Sequence, residues 1–328
     1  MTEPNDGVDI IGDVHGHADK LIELLTQMGY RRVDGAWKHP TRRAMFVGDL
    51  IDRGPKQVET VEIVRAMVES GSARMVLGNH EFNAIAWHTP DPDRPGKFLR
   101  PHSVKNRGQH KTFLDQVGEC SDRHRECVRW FMALPLWLDL GELRVVHACW
   151  DSKSMHDIAE IVDADNSLST ELVVEACRKG TREHQAIEHL LKGPEIPIPV
   201  PFVDSDENRR EMARFRWWLA DASSNLRAAA VIPARAKTPE LDDYPLLPET
   251  PVEPQPQVDS YSDAVPVFYG HYWESGTPTV SGNHTACVDY SVAKGGPLVA
   301  YRWTGERTLV NDNFVMTGHV AGGRPGLE

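Results

Sequence analysis

Along the first 150 residues, short apolar runs alternate with stretches in which apolar positions recur every three or four residues. VDIIG (8–12), AMFVG (44–48) and ARMVLG (73–78) are short, branched and end in glycine, as buried strands do. Between them, Leu21, Leu24, Leu25 and Met28 share one face of a helix predicted over about 17–28. Val58, Val61, Ile63, Val64 and Val68 mark a second helix over about 57–69. Strand, loop and helix in that repeat predict βαβ units and a largely parallel α/β sheet. ELRVVHA (142–148) reads as a later strand.

The pattern then changes. Residues 155–192 read as mainly helical and polar. GPEIPIPVPF (193–202) has proline at alternate positions, so it is extended but cannot be a central strand, where every backbone N–H is needed. Six prolines and several acids over 238–258 predict a long solvent-exposed loop. Beyond it, PVFYGHYW, HTACVDYSV, PLVAYRW and RTLVND predict short strands that close the same domain. The expectation is one domain over 1–328 with a helical, proline-rich cap inserted over 151–265.

Composition narrows the function. Of 328 residues, 40% are hydrophobic and 26% charged, which excludes wholesale disorder. A net charge of −12 argues against non-specific binding of duplex nucleic acid or an anionic membrane. It leaves room for an anionic substrate held by a local cation or metal. No apolar run reaches the ~18 residues that span a bilayer. The start, MTEPNDGVDIIGD, lacks a charged-then-apolar signal pattern. The five cysteines are scattered without a C-x-x-C pair, which points to reduced thiols and a cytoplasmic location.

The 15 histidines make metal chemistry worth a search. Each of the three early strands runs into a loop bearing metal-type ligands. GDVHGH carries Asp13 and His15, GDLIDRGP carries Asp49, Asp52 and Arg53, and GNHE carries Asn79, His80 and Glu81. Two later strands each end in a histidine, His147 in VVHACW and His271 in FYGHYW. Ligands gather outside the carboxyl ends of strands in open parallel sheets. Oxygen and imidazole donors without thiolate suit Mn, Fe, Zn or Co better than a structural zinc. A single D-x-H or GNHE is commonplace in turns; an ordered series of such signals, each at a strand end, is not.

GDVHG, GDLIDRGP and GNHE, followed by His147 and GHYW, resemble the calcineurin-like metallophosphoesterases. The branch they resemble holds the phosphoprotein phosphatases and the symmetrical bis(5′-nucleosyl)-tetraphosphatases. The resemblance is dense over 8–150, returns over 266–312, and within 151–265 is confined to ARFRWW. It implies a sandwich of two mixed β-sheets flanked by helices. It also implies two divalent ions, with Mn²⁺ favoured and Fe, Zn, Co or Ni as alternatives. Asp13 and His15 would hold the first ion, Asp49 would bridge, and Asn79, His147 and His271 would complete the second. His80 would protonate the leaving group, Asp52 would hold its ring, and Arg53 would grip phosphate. A metal-bridged hydroxide would attack a phosphate ester or anhydride. Many relatives elsewhere in the superfamily carry GHxH; here that place is Trp273, which fits the phosphatase and tetraphosphatase branch.

In ARFRWW, Arg216, or after it Arg214, would be a second phosphate clamp; the alternative is a surface basic patch beside buried tryptophans. His17 reads as the start of a helix, and Glu81 as the partner of a nearby cation. His284 and His319 read as structural or exposed. Trp150 and Tyr272 flank presumed ligands and could stack on a base, although packing is the commoner role. RPHSVKNRGQHK (100–111) reads as a solvated loop or, alternatively, a substrate lid. The end segment ACVDYSVAKGGPLVAYRW resembles the symmetrical tetraphosphatases, which favours a small phosphorylated substrate such as a dinucleoside polyphosphate. A Ser/Thr protein phosphatase acting on phosphoprotein is the alternative enzyme. A non-catalytic metal-binding scaffold is the alternative class.

Overall fold

The structure is a computed structural model describing residues 7–203, 208–219, 225–233, 236–252 and 260–318. His319 and residues 253–258 of the proline-rich stretch lie outside these. In chain order the first half contains β1 (Gly7–Ile11), α1 (Ala18–Gln27), the hairpin β2 (Arg31–Val33) and β3 (Ala36–Lys38), β4 (Arg42–Phe46), α2 (Gln57–Glu69), β5 (Ala73–Met75) and α3 (Asn79–His88). Then come α4 (Val104–Val117), α5 (Asp122–Met132), β6 (Trp137–Asp139) and β7 (Arg144–Val146). The region after His147 holds α6 (Ser152–Asp157), α7 (Thr170–Ala176), α8 (Arg182–Lys192), β8 (Glu195–Val203), β9 (Arg209–Phe215), α9 (Leu226–Ala229) and β10 (Ala230–Val231). The chain returns with β11 (Val267–Tyr269), β12 (Thr285–Cys287), β13 (Val299–Trp303) and β14 (Phe314–Met316).

Two mixed sheets form the frame. One is ordered β14-β13-β1-β4-β5, with β1, β4 and β5 parallel and β13 antiparallel to both its neighbours. The other is ordered β12-β11-β7-β6, with β6 antiparallel to β7. Strand alternation sends side chains to opposite faces. Val8 and Ile10 of β1, Met45 of β4 and Tyr301 and Trp303 of β13 share one buried cluster with Leu138, Val145, Phe268 and Ala286 of the second sheet. That cluster is the sandwich interior. Ile11, Ala44 and Phe46 point the other way, into a larger core with Leu21, Leu24 and Leu25 of α1 and Val61 and Val64 of α2.

Asp9, also on the helix side, is fully buried and paid for by its partners: Arg42 Nε at 2.8 Å, Arg302 Nε at 3.1 Å and the Tyr30 hydroxyl at 3.1 Å. Arg42 donates onward to the carbonyls of Val8 and Trp303, so one guanidinium joins β4, β1 and β13. A buried ion pair survives when its remaining donors and acceptors are satisfied this way.

The proline-alternating segment is β8, an edge strand of a separate three-stranded sheet ordered β10-β9-β8, as its missing N–H groups require. Two expectations are corrected. RTLVND (307–312) forms no strand; a 3₁₀ turn covers Asn311–Asn313 and the strand follows at β14. RPHSVKNRGQHK is no loop beyond residue 103, because α4 begins there. Ser103 caps the helix by accepting from Asn106 N–H at 3.2 Å, and His110, Phe113, Leu114 and Val117 form its buried face. Among the described residues no helix is long and apolar enough to cross a membrane.

Candidate active site

The strand-end loops converge on Asp49. Its carboxylate lies 3.7 Å from His15 Nε2, 3.9 Å from His80 Nε2 and 3.5 Å from His147 Nε2. Two groups of possible metal ligands result, His15–Asp49–His80 and Asp49–His147–His271, with donor atoms in each within 4.8 Å of one another. Asp49 is common to both. Asn79 joins through Oδ1, 3.1 Å from His147 Nε2. Asp13 lies outside both compact groups. One of its oxygens accepts from His271 N–H at 3.2 Å, and the other is buried without a partner among the described residues.

Backbone geometry aims these side chains. His15 Nδ1 pairs with the Ile51 carbonyl at 2.9 Å and His147 Nδ1 with the Val47 carbonyl at 2.7 Å. Each pairing makes Nδ1 the protonated nitrogen and leaves the Nε2 lone pair facing the site. His15, Asp49, Asp52, Arg53 and His271 all have positive φ, between 46° and 74°. Non-glycine residues seldom adopt this region, and its clustering at a site marks backbone held for function. Gly48, at φ 108°, sits where a Cβ would lie 2.8 Å from His147 Nδ1 and 2.7 Å from Gly78. Only glycine lets the bridging loop pass so close to the next ligand. Glu81 secures the same loop. It accepts from the N–H groups of Asp49 (2.9 Å), Leu50 (2.8 Å) and Gly78 (3.1 Å), so it partners backbone and not the expected cation.

The electrostatics favour cations. Burial raises the Asp13 carboxyl pKa, and the charges of Asp289 and Asp49 raise it further. Burial and Asp49 push Glu81 to about 7. Burial lowers His15 to about 4 and takes His271 well below its ordinary value. Crowded carboxylates, neutral imidazoles and the buried, unpartnered Asp13 Oδ1 and His271 Nε2 together fit divalent ions with oxygen and nitrogen preference.

Beside the ligands stands a second device. Burial disfavours a charged His80, but Asp49 and Asp52 outweigh it and raise its pKa. Asp52 accepts from His80 Nδ1 at 2.6 Å and, through its other oxygen, from His110 Nδ1 at 2.8 Å. Burial works against the Asp52 carboxylate, yet the bonds from His110 and His80 hold its pKa far below the usual range. His110 is absent from the motif-based reading. Its signal was the helical recurrence His110, Phe113, Leu114, Val117, masked by polar neighbours and Gly108. Asp289 was missed as well. It accepts from Trp273 N–H and Ser291 N–H, both at 2.9 Å, and an acid inside the buried run ACVDYSV was its signal.

Arg53 is exposed on the rim. Arg214 reaches the His271 carbonyl at 3.4 Å and lies over the Trp273 ring, 4.7 Å from its centroid. Arg216 has a buried Nε without a partner among the described residues. Arg214 is thus set against the His271 loop, and Arg216 acts on Glu274 of the same loop. Tyr272 is buried, bonded to the Phe215 carbonyl at 3.2 Å and set edge-on to Trp218, so it packs. His17 is the residue before α1.

A two-sheet α/β frame that gathers oxygen and imidazole donors at its strand ends, beside a carboxylate-held histidine, defines the class of α/β proteins with a candidate metal centre between two sheets. Within that class the chain belongs to the calcineurin-like phosphoesterase family, whose model matches residues 8–175. The asymmetrical bis(5′-nucleosyl)-tetraphosphatase PrpE of Bacillus velezensis is 35% identical over 148 residues, 43% of this chain and 55% of that protein. The symmetrical bis(5′-nucleosyl)-tetraphosphatase of Vibrio cholerae is 29% identical over 160 residues, 47% of this chain and 50% of that protein. The chain thus spans about half the length of these curated relatives. A protein serine/threonine phosphatase of Saccharomyces cerevisiae aligns over 99% of this chain and 83% of its own at 14% identity, with a TM-score of 0.49.

Proposed function

We propose that this phosphoesterase is dinuclear and hydrolyses a small phosphorylated substrate such as a dinucleoside polyphosphate. The observation that carries the reading is the convergence of His15, His80, His147 and His271 on Asp49, with His80 held from its other ring nitrogen by Asp52. Asp13, His15, Asp49, Asn79, His147 and His271 would hold two divalent ions, Mn²⁺ being favoured. Bound there, the ions would neutralise phosphate charge and supply an acidified water as nucleophile. The protein's own part is positional. Arg53 and Arg214 offer forked donors to phosphate oxygens, which a lysine cannot match, with Arg216 as a further candidate. His80, whose charged form Asp49 and Asp52 favour, would give its proton to the departing oxygen. We take the chain as one domain with 151–265 as its cap. Free, scattered cysteines fit a reducing, cytoplasmic setting.

The relatives' names and the end segment ACVDYSVAKGGPLVAYRW support the nucleotide substrate. The test is p-nitrophenyl phosphate hydrolysis by metal-stripped protein with Mn²⁺ restored, beside Asp49→Asn. Metal-dependent turnover that the variant lacks is expected. Turnover without metal, or undiminished in the variant, would remove the dinuclear reading. Diadenosine tetraphosphate and a phosphopeptide panel then separate the substrates: no nucleotide turnover at saturating Mn²⁺ ends the first choice.

A further inference from the structure

A groove of about 320 Å³ runs from Arg53 along the first turns of α4, lined by Arg53, Val104, Lys105, Gly108 and Gln109. It is near the lower end of pocket sizes that hold whole small molecules, roughly 300–1,000 Å³, and more than one phosphate group needs. It begins one residue from Asp52, the carboxylate that holds His80. Two of its walls are cationic and none is acidic. A third cation stands behind: Arg100 donates to Gln109 Oε1 at 3.0 Å. Lys105 is held in place from the cap region, where its ammonium donates to Asn208 Oδ1 just before β9. Val104, 93% exposed, adds an apolar surface at the rim. In a protein of net charge −12 this is a local reversal of sign. Oriented cations in a cleft attract and hold an anion.

We propose that this groove receives the leaving half of the substrate, and that this half is itself a phosphate chain on a nucleoside. The inference rests on the phosphoesterase reading above and deepens it. In the hydrolysis, water oxygen bonds to the attacked phosphorus and the P–O anhydride bond breaks. The electron pair stays on the departing phosphate oxygen, and one proton of the water is released or passed on. The departing group carries several negative charges, which Arg53 and Lys105 match. A seryl or threonyl leaving group has no such charge to place there.

The test pairs binding with selectivity, using manganese-loaded full-length protein, wild type and Lys105→Glu, with Lys105→Gln as the milder change. Titration calorimetry with inorganic tripolyphosphate is expected to give a Kd at least fivefold weaker in Lys105→Glu and intermediate in Lys105→Gln. The ratio of kcat/KM for diadenosine tetraphosphate over p-nitrophenyl phosphate is expected to fall at least tenfold in Lys105→Glu. Equal Kd values, no tripolyphosphate binding by the wild type, or a larger loss on phosphopeptides than on the nucleotide would each overturn the groove assignment. Failure of the underlying reading looks different: the wild type would then lack metal-dependent turnover of p-nitrophenyl phosphate, whatever tripolyphosphate does.

Discussion

His80, Asp52 and His110 form a chain in which each link fixes the next. A carboxylate shared by two imidazoles cannot rotate without giving up one of them, so His110 positions Asp52 and, through it, the ring of His80. Removing His80 deletes the proposed proton donor. His80→Ala is expected to lower kcat well above tenfold on alkyl or phenyl esters, within the roughly 10²–10⁴-fold range of general acids. Metal content, read by elemental analysis, should persist; a variant of full activity would remove His80 from that role. His110→Ala acts one step further out. It should slow phenyl phosphate about tenfold while slowing p-nitrophenyl phosphate less, because a good leaving group needs less help from a proton. Equal losses on both esters would make His110 a packing residue only.

The elements differ in how openly the sequence declares them. The βαβ half was legible because apolar residues dominate it: the helix predicted over 57–69 is α2, with the same bounds. Helix α4 was not, since lysine, arginine, glutamine and Gly108 dilute its apolar face. RTLVND looked like a strand because Thr308 and Val310, which favour strands, flank an apolar Leu309, but only Leu309 is deeply buried. The metal-type ligands were legible because glycine and acid motifs bracket them. His110 and Asp289 carry no motif, and only the folded chain brings them to the site. Helix α5 adds a consequence of its own. Ser121 caps it by accepting from His124 N–H at 3.1 Å, and His124 Nδ1 accepts in return from Cys120 N–H at 3.1 Å. That acceptor exists only in the neutral ring. Burial, with His88 and His110 nearby, lowers the His124 pKa from 6.5 to about 4. The unfolded chain therefore takes up this proton first, so the contribution is complete above the ordinary value and is lost as pH falls from 6.5 towards 4. Thermal melts across that interval should show a gentler decline in His124→Gln, which keeps an acceptor but does not titrate. Parallel declines in the two proteins would show that His124 contributes nothing to acid sensitivity.

Considered whole, the site lies across the sandwich. Asp13 and Asp49 follow β1 and β4 of one sheet, while His147 and His271 follow β7 and β11 of the other. Ions held by both would tie the sheets together at one rim. Binding to the folded form alone at one hundred times Kd contributes about 2.7 kcal/mol. For a chain of 328 residues, that is a rise in Tm of about 4 °C. Differential scanning calorimetry with and without Mn²⁺ measures it, and Asp49→Asn should abolish most of the rise. No metal-dependent rise in the wild type would mean that the two ligand groups do not act as one site.

The wide spacing of those ligands along the chain has a further result during synthesis. A nascent chain that has emerged as far as GNHE offers Asp13, His15, Asp49 and Asn79 but neither His147 nor His271. It can hold an ion only in a half-built, exchangeable shell. With His147 and His271 as ligands, secure loading would wait until the strand before His271 has left the ribosome and paired beside β7. If these residues are the ligands, the choice among competing metals would stay open until then, and the finished fold, not the first metal the emerging chain meets, would select the ion retained.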